Sequence, residues 1–448
     1  VTEPVTTTTY WCEWAWLGGD TVTPGVALQV SGDRIKGITA DSAAPDGSVV
    51  LPGLTIPGLA NAHSHAFHRL LRSRTHGGQG SFWTWREQMY AAATQLDPER
   101  YFRLARAVFA EMALSGVTSV GEFHYVHHQA SGVLYSDPND MGVALIAAAA
   151  QAGVRITLLD TCYLHGGIGK EPDEVQQRFS DRTAEAWMSR VADLHSWESP
   201  TAKVGGAVHS VRAVPPAAIA DIGAWCRSRG LPLHCHVSEQ PAENEQCVST
   251  YGLTPTGVLA EAGVIDTGFS AVHATHLTDD DVRLLGSGGA SVCCCPTTER
   301  DLADGVGPFR ALVDAGAALT VGSDSHAVID LFEEARSIEL HQRLVTGVRG
   351  HHSVLGLLDA ATAAGHRSLG WTDCGCLDVG QLADFITVGL RSPRLAGAGQ
   401  GDLLPAVVFA ASAADVTDVV VGGKAIVRSG RHLSVDVAAE LALTVGPR

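Results

Sequence analysis

Four short segments of this sequence carry side chains whose types and spacing suit metal binding and proton transfer. His63-Ser64-His65 sets two imidazoles two residues apart. On a strand that spacing points both rings to one face, so both can reach a single cation. Leu231-Pro-Leu-His-Cys-His236-Val-Ser-Glu239 ends an apolar run in a histidine, with a glutamate three residues further on. A carboxyl beside a metal-activated water can shuttle protons. His273-Ala-Thr-His276 offers a group to polarise a substrate or stabilise developing charge. Val321-Gly-Ser-Asp324-Ser-His326 ends another apolar run in a carboxylate able to hold a metal and take a proton from its water.

Each segment alone has an ordinary explanation. With 20 histidines in 448 residues, about one His-x-His is expected by chance, and the chain has two. His234 equally suits a buried, hydrogen-bonded core histidine, which leaves His236 as the better ligand. His273 and His276 suit polar positions at a strand-to-helix turn, and Asp324 suits a helix N-cap. What singles the four segments out is that all close an apolar run.

Those runs recur along the chain at about 54–65, 116–124, 154–163, 204–211, 231–239, 269–276, 290–296 and 317–326. They read as eight parallel strands, with helical stretches between them. The clearest helix has Asp97 as N-cap, Pro98 at its first position, Phe102, Ala105, Phe109 and Met112 on one face, and Gly116 as its stop. A second begins at Thr278, ahead of Asp279, Asp280 and Asp281. Eight such units predict a (β/α)₈ barrel rather than a doubly wound sheet, because polar residues gather at the C-terminal ends of several strands. Short strand-like runs before about Leu51 and after about Asp378 predict one small β-domain built from both chain ends. The expected division is 1–57 and 375–448 for the two parts of the β-domain and 58–374 for the barrel.

Composition bounds the function. Apolar residues make up 45% of the chain and charged residues 18%, so a large core is expected; 31 basic against 48 acidic residues give a net charge of −17. That balance argues against nucleic acid and anionic membrane surfaces. The densest apolar stretch, Val143 to Leu159, is broken by Gln151, Gly153 and Arg155 and does not span a bilayer. Val1 to Tyr10 lacks a basic start followed by an apolar run. Ten cysteines without a CxxC pair, three of them adjacent at Cys293, Cys294 and Cys295, suit a reducing, cytoplasmic setting.

The combination of His63, His65, His236 and Asp324 at the mouths of strands one, five and eight, with Glu239 and His273 alongside, resembles the amidohydrolase superfamily. The closing segment Gly375-Cys-Leu-Asp-Val-Gly-Gln-Leu-Ala-Asp-Phe is similar to that superfamily's return into a small β-sandwich. Many members bridge two metals with a carboxylated lysine on strand four. Here Val204-Gly-Gly-Ala-Val-His209 has none at its tip, and Lys203 sits at the opposite end. The resemblance therefore implies one divalent metal, zinc or iron, held by His63, His65, His236 and Asp324. Asp324 would also take the water's proton, with Glu239 and His273 as the acid–base pair. Single-metal members of this pattern are mostly deaminases.

Within the superfamily, Ser81-Phe-Trp-Thr-Trp-Arg-Glu-Gln-Met-Tyr90, Gly121-Glu-Phe-His-Tyr-Val-His-His128 and His209-Ser-Val-Arg212 resemble the formimidoylglutamate deiminases. That resemblance implies hydrolysis of N-formimino-L-glutamate to N-formyl-L-glutamate and ammonia in histidine degradation. It also implies a homodimer. Arg86, Tyr125, His209 and Arg212 would hold the two carboxylates of this small dianionic substrate, and arginine forks suit that task. Where these enzymes often carry a glutamine near the formimino group, this chain has His68, which still donates or accepts a hydrogen bond. Trp83 and Trp85 keep open a related deaminase acting on a purine, pteridine or nucleoside. A scaffold that merely binds metal would have no need of Glu239 and His273. Gly166-Gly-Ile-Gly-Lys170 lacks the spacing of a phosphate loop.

Overall fold

The computed structural model describes residues 7–75 and 80–446; the first six residues of the Val1–Tyr10 segment lie outside them. The chain opens with four strands, β1 (Thr7–Ala15), β2 (Thr23–Ser31), β3 (Arg34–Thr39) and β4 (Val49–Pro57). Eight more follow: β5 (Leu59–Ser64), β6 (Val117–His124), β7 (Arg155–Cys162), β8 (Ala202–Val208), β9 (Leu233–Val237), β10 (Phe269–His273), β11 (Ser291–Cys294) and β12 (Ala318–Val321). These eight pair in parallel, each with the next in sequence. A bridge between Ser64 and Asp324 joins the last to the first, giving the expected (β/α)₈ barrel. Strands such as β6 and β7 are buried at every position, because helices cover one face and barrel packing the other, so they read as continuous apolar runs.

One expected run divides in two. Residues 54–57 belong to β4, in the other sheet, while β5 begins at Leu59. The change of direction falls at Gly58, where a Cβ would lie 2.2 Å from Thr118 Oγ1; only glycine permits this approach to β6. The helices start as their sequences dictate. Asp97 accepts a hydrogen bond from Arg100 N–H at 2.7 Å ahead of the helix Pro98–Leu114, a cap worth about 1 kcal/mol. Thr278 and Asp281 cap Asp279–Ser287 reciprocally, each side chain accepting the other's backbone N–H.

After the barrel come β13 (Phe385–Val388), β14 (Val416–Val421), β15 (Lys424–Arg428) and β16 (Arg431–His432). They join β1–β4 in one mixed sheet of order β16-β15-β14-β13-β4-β1-β2-β3. Tyr10, Val26, Leu28, Ile35, Phe385 and Val420 share a separate core there, so residues from both chain ends make one β-unit. It is not purely β, since helices Leu403–Ala410 and Val437–Val445 follow β13 and β16 and pack on barrel helices. Arg155 of β7 reaches out of the barrel to Asp384, just ahead of β13, with Nη2 3.0 Å from Oδ1.

On the outer side of the barrel wall, Arg190 is gripped by two buried carboxylates. Its nitrogens lie 2.7 and 2.8 Å from the Asp160 oxygens and 2.9 and 2.8 Å from those of Asp181. His127 packs beside them and donates from Nε2 to the Thr161 carbonyl. Nine of the ten cysteines are buried and all ten are free, so most serve as small core residues. No described helix is long and apolar enough to cross a membrane.

Candidate metal centre and active-site cavity

The C-terminal ends of β5, β9, β10 and β12 converge on one buried point. His63 and His65 arrive from β5, His236 from β9, His273 from β10, and Asp324 from the turn after β12. The β12 end comes so close to His63 that a Cβ on Gly322 would meet it at 2.8 Å. Ser238, His273 and Asp324 all hold positive φ, at 51°, 67° and 41°. Non-glycine residues pay of order 1–3 kcal/mol each for that backbone, so the barrel mouth is strained where its polar side chains are presented.

His65 Nδ1–H donates to the Phe123 carbonyl at 2.8 Å, and His236 Nδ1–H donates to the His209 carbonyl at 2.8 Å. These bonds fix both tautomers and leave each Nε2 as a lone pair directed inward. The Nε2 atoms of His63 and His236 face each other at 3.2 Å. Asp324 Oδ1 lies 3.4 Å from His63 Nε2 and 3.5 Å from His65 Nε2. A tetrahedral ion with arms of about 2.0–2.1 Å sets its ligand atoms about 3.3 Å apart, so His63, His65 and Asp324 form one group able to hold a divalent metal, and His63, His236 and His273 form a second that shares His63. Their protonation fits as well. Burial, helped by His63, lowers His65 to about 3, and burial pushes His236 far below its usual value. Burial would raise the Asp324 carboxyl, but its hydrogen bond with His63 and the neighbouring imidazoles outweigh this and hold it down.

Glu239 and His273 sit beside this cluster. His273 Nε2 is 3.7 Å from Glu239 Oε1 and 3.8 Å from Asp324 Oδ2. Burial raises the Glu239 carboxyl against the pull of His273 and Arg212, which favours its neutral, proton-donating form. For His273 burial lowers the pKa, but Glu239, Glu299 and Asp324 more than reverse it, so the ring favours its cation.

His65, His236, Glu239, His273 and Asp324 line one cavity together with His68, Arg86, Tyr125, His209 and Arg212. All five residues expected around a substrate are therefore brought to one space. Arg86 lies on the helix Phe82–Ala93, donates from Nε to the Tyr90 hydroxyl at 2.7 Å and stacks over the Trp83 and Tyr90 rings. Arg212 lies between Glu239 at 3.6 Å and Glu243 at 3.8 Å, over the Phe82 ring. His68 Nε2 is 3.1 Å from the Tyr125 hydroxyl. Its ring lies against His65 and Trp85, and burial keeps it neutral. His234 stands apart, bonded through Nε2 to the Ser368 carbonyl, as a core histidine would be. His276 does not line the cavity.

Three supporting carboxylates escape the sequence reading. Glu122 accepts from Ser64 Oγ–H at 2.6 Å and from Ala66 N–H at 2.7 Å, and so clamps the segment that carries His63 and His65. Glu299 stands 3.4 Å from His273 Nδ1. Glu243 accepts the Glu239 N–H at 3.2 Å. Glu122 lies within the segment Gly121 to His128, and its position at a strand end beside His63 and His65 is the signal that could have found it. Glu299 and Glu243 sit in the first turns of helices, where an acidic residue usually signals only the helix start.

Residues 54–426 match the model of the amidohydrolase family, and the chain belongs to that family. It is thus a hydrolase built on a metal-binding barrel. It is 36% identical over 418 residues, 91% of this chain and 92% of the other, to a formimidoylglutamate deiminase of Pseudomonas aeruginosa. A 5-methylthioadenosine/S-adenosylhomocysteine deaminase of Natronomonas pharaonis is 28% identical, with 94% of each chain covered. Among solved structures, an amidohydrolase from Brucella melitensis superposes with a TM-score of 0.91 at 30% identity, covering 98% of this chain and 99% of its own.

Proposed function

We propose that this protein is a zinc-dependent deiminase that hydrolyses N-formimino-L-glutamate to N-formyl-L-glutamate and ammonia, a step of histidine degradation. The observation that carries this reading is the pairing of two arginines, Arg86 and Arg212, with the Glu239–His273 pair in a single cavity. Two guanidinium forks suit two carboxylates, and an acid–base pair beside them suits the amidine. The 36% identity to a formimidoylglutamate deiminase supports the same substrate.

Zinc held by His63, His65, His236 and Asp324 would supply Lewis acidity and a water acidified toward neutrality. Asp324, kept as a carboxylate, accepts a proton from the water that adds to the formimino carbon. Glu239 delivers a proton to the imino nitrogen, giving an amine on a tetrahedral carbon. The proton taken by Asp324 passes to Glu239, which protonates that amine, and ammonia leaves as the remaining hydroxyl proton goes to Asp324 and the formyl C=O forms. His273 donates from Nε2 to the oxygen on which charge develops. His68 and Tyr125 line the cavity next to His65, placed to hydrogen-bond the amidine, while Arg86, His209 and Arg212 orient the carboxylates.

Product analysis on metal-loaded protein given N-formimino-L-glutamate tests this. Ammonia with N-formyl-L-glutamate, abolished by a chelator, supports the reading; glutamate with formamide means cleavage at the other bond and overturns it. A second reading, a deaminase of a ring substrate, is favoured by Phe82, Trp83 and Trp85 on the cavity wall. Ammonia release from 5-methylthioadenosine in place of formiminoglutamate would select it.

A further inference from the structure

The cavity carries a cation that the proposed chemistry leaves unused. Arg86 and Arg212 are both engaged by groups of the wall, Arg86 with the Tyr90 hydroxyl and Arg212 beside Glu239 and Glu243. A third cation lines the same cavity. It is Lys170, with His165, Gly166 and Gly167 of the segment that follows β7.

The segment's construction presents that lysine in a defined place. Lys170 N–H donates to the Gly167 carbonyl at 3.0 Å, and Gly166 N–H donates to the Lys170 carbonyl at 2.8 Å. Gly169 takes φ of +67° between them, a turn position that suits glycine. Gln176 ties the turn to the arginine side of the cavity. Its Nε2 donates to the Tyr90 and Tyr163 hydroxyls at 2.9 and 3.0 Å and approaches the Gly166 carbonyl at 3.3 Å. Tyr90 in turn accepts from Arg86. Turn and arginine therefore belong to one hydrogen-bonded assembly. Lys170 is exposed and has no ion pair among the described residues, so its charge is available to an incoming ligand.

We infer that Lys170 is a specificity-determining residue that meets the distal carboxylate of the substrate at the cavity mouth and selects dicarboxylates over monoanions. This deepens, and rests on, the deiminase reading. A flexible ammonium at a solvent-exposed mouth acts as a point charge, and it contributes to binding rather than to the chemical step.

The test compares wild type with Lys170→Ala and Lys170→Arg on N-formimino-L-glutamate and on N-formimino-L-glutamine, whose distal amide is neutral. The expected result is that Lys170→Ala raises KM for the dicarboxylate about tenfold with kcat little altered. KM for the amide should move about threefold or less, and Lys170→Arg should recover most of the loss. Equal shifts for both substrates, or none, overturn the inference. Calorimetric binding of glutarate and of butyrate to the same metal-loaded proteins separates this inference from the reading beneath it. Lys170-dependent glutarate binding without turnover of formiminoglutamate upholds the lysine and sinks the deiminase; turnover with lysine-independent glutarate binding does the reverse.

Discussion

Glu299 Oε1 lies 3.4 Å from Nδ1 of His273, on the side of the ring away from Glu239 and Asp324, which face Nε2. A carboxylate there holds the proton on Nδ1, fixes the ring's orientation, and raises its basicity. Glu299 also accepts the Cys295 N–H at 2.9 Å, so it is itself held by the end of β11. Glu299→Gln should lower kcat about 10- to 100-fold with bound metal unchanged. Steady-state kinetics beside metal analysis decide this, and an unchanged kcat removes Glu299 from the assembly.

Glu122 works on the other side of the cluster. Because it binds both Ser64 and Ala66, its loss frees the segment that aims His63 and His65. Glu122→Ala should weaken metal binding about 10- to 100-fold. Competition against a chromogenic chelator measures that loss, and equal affinity in the two proteins refutes the clamp.

Glu239→Gln keeps the shape and removes the transferable proton. Turnover of formiminoglutamate should fall about 10²- to 10⁴-fold, with metal content intact. Arg212→Ala should act differently, raising KM more than it lowers kcat, because it removes binding rather than proton transfer. Unaltered kcat/KM would take Arg212 out of the substrate site.

Removing the metal should cost stability as well as activity. Two imidazole nitrogens facing each other at 3.2 Å, a buried carboxylate beside them and strained residues at the barrel mouth are more favourable with a cation between the ligands than without one. A site binding at about 100 times its Kd contributes about 2.7 kcal/mol. Dialysis against chelator should therefore lower Tm by several degrees, and zinc should restore it; an identical Tm would mean that the cluster does not bind metal strongly.

Acid should weaken the fold through the Arg190 network. Burial would raise Asp160, but Arg190 and His127 hold it at about 2, while burial and then Arg190 lower His127 to about 4. Both values lie below those of the unfolded chain. The unfolded state thus takes up protons first, and stability is complete above about pH 6.5 and falls on acidification. The His127 share is lost between about 6.5 and 4 and the Asp160 share below about 4. His127→Gln should flatten the upper part by on the order of 2 kcal/mol, as read from denaturant midpoints across pH; parallel curves would contradict it.

The clustering of His63, His65, His236 and Asp324 and the barrel were legible in the sequence because strand ends are where a parallel barrel exposes polar groups. An apolar run stopping at His63, His236 or Asp324 therefore carries position as well as residue type. The supporting carboxylates were not legible, since Glu299 and Glu243 reach their partners only through tertiary packing. The boundary between β4 and β5 was hidden for a related reason. Both strands are buried on either side of Gly58, so no polar residue marks where the chain leaves one sheet for the other. The helices after β13 and β16 were missed because short apolar stretches fit strand and helix alike.

The pairing of Arg155 with Asp384 bears on how the molecule comes apart. One partner stands in the third barrel strand and the other enters the sheet made from the chain ends, and both are buried. Asp384 also receives the Gly422 N–H, so a single carboxylate ties three distant stretches of chain together. Stripping away the last seventy residues would leave the guanidinium that reaches out of the barrel without its counter-ion, and breaking a buried pair costs about 3–5 kcal/mol. Barrel and β-unit are therefore expected to melt in one cooperative transition, and a shortened chain to be an aggregation-prone fragment rather than a minimal enzyme.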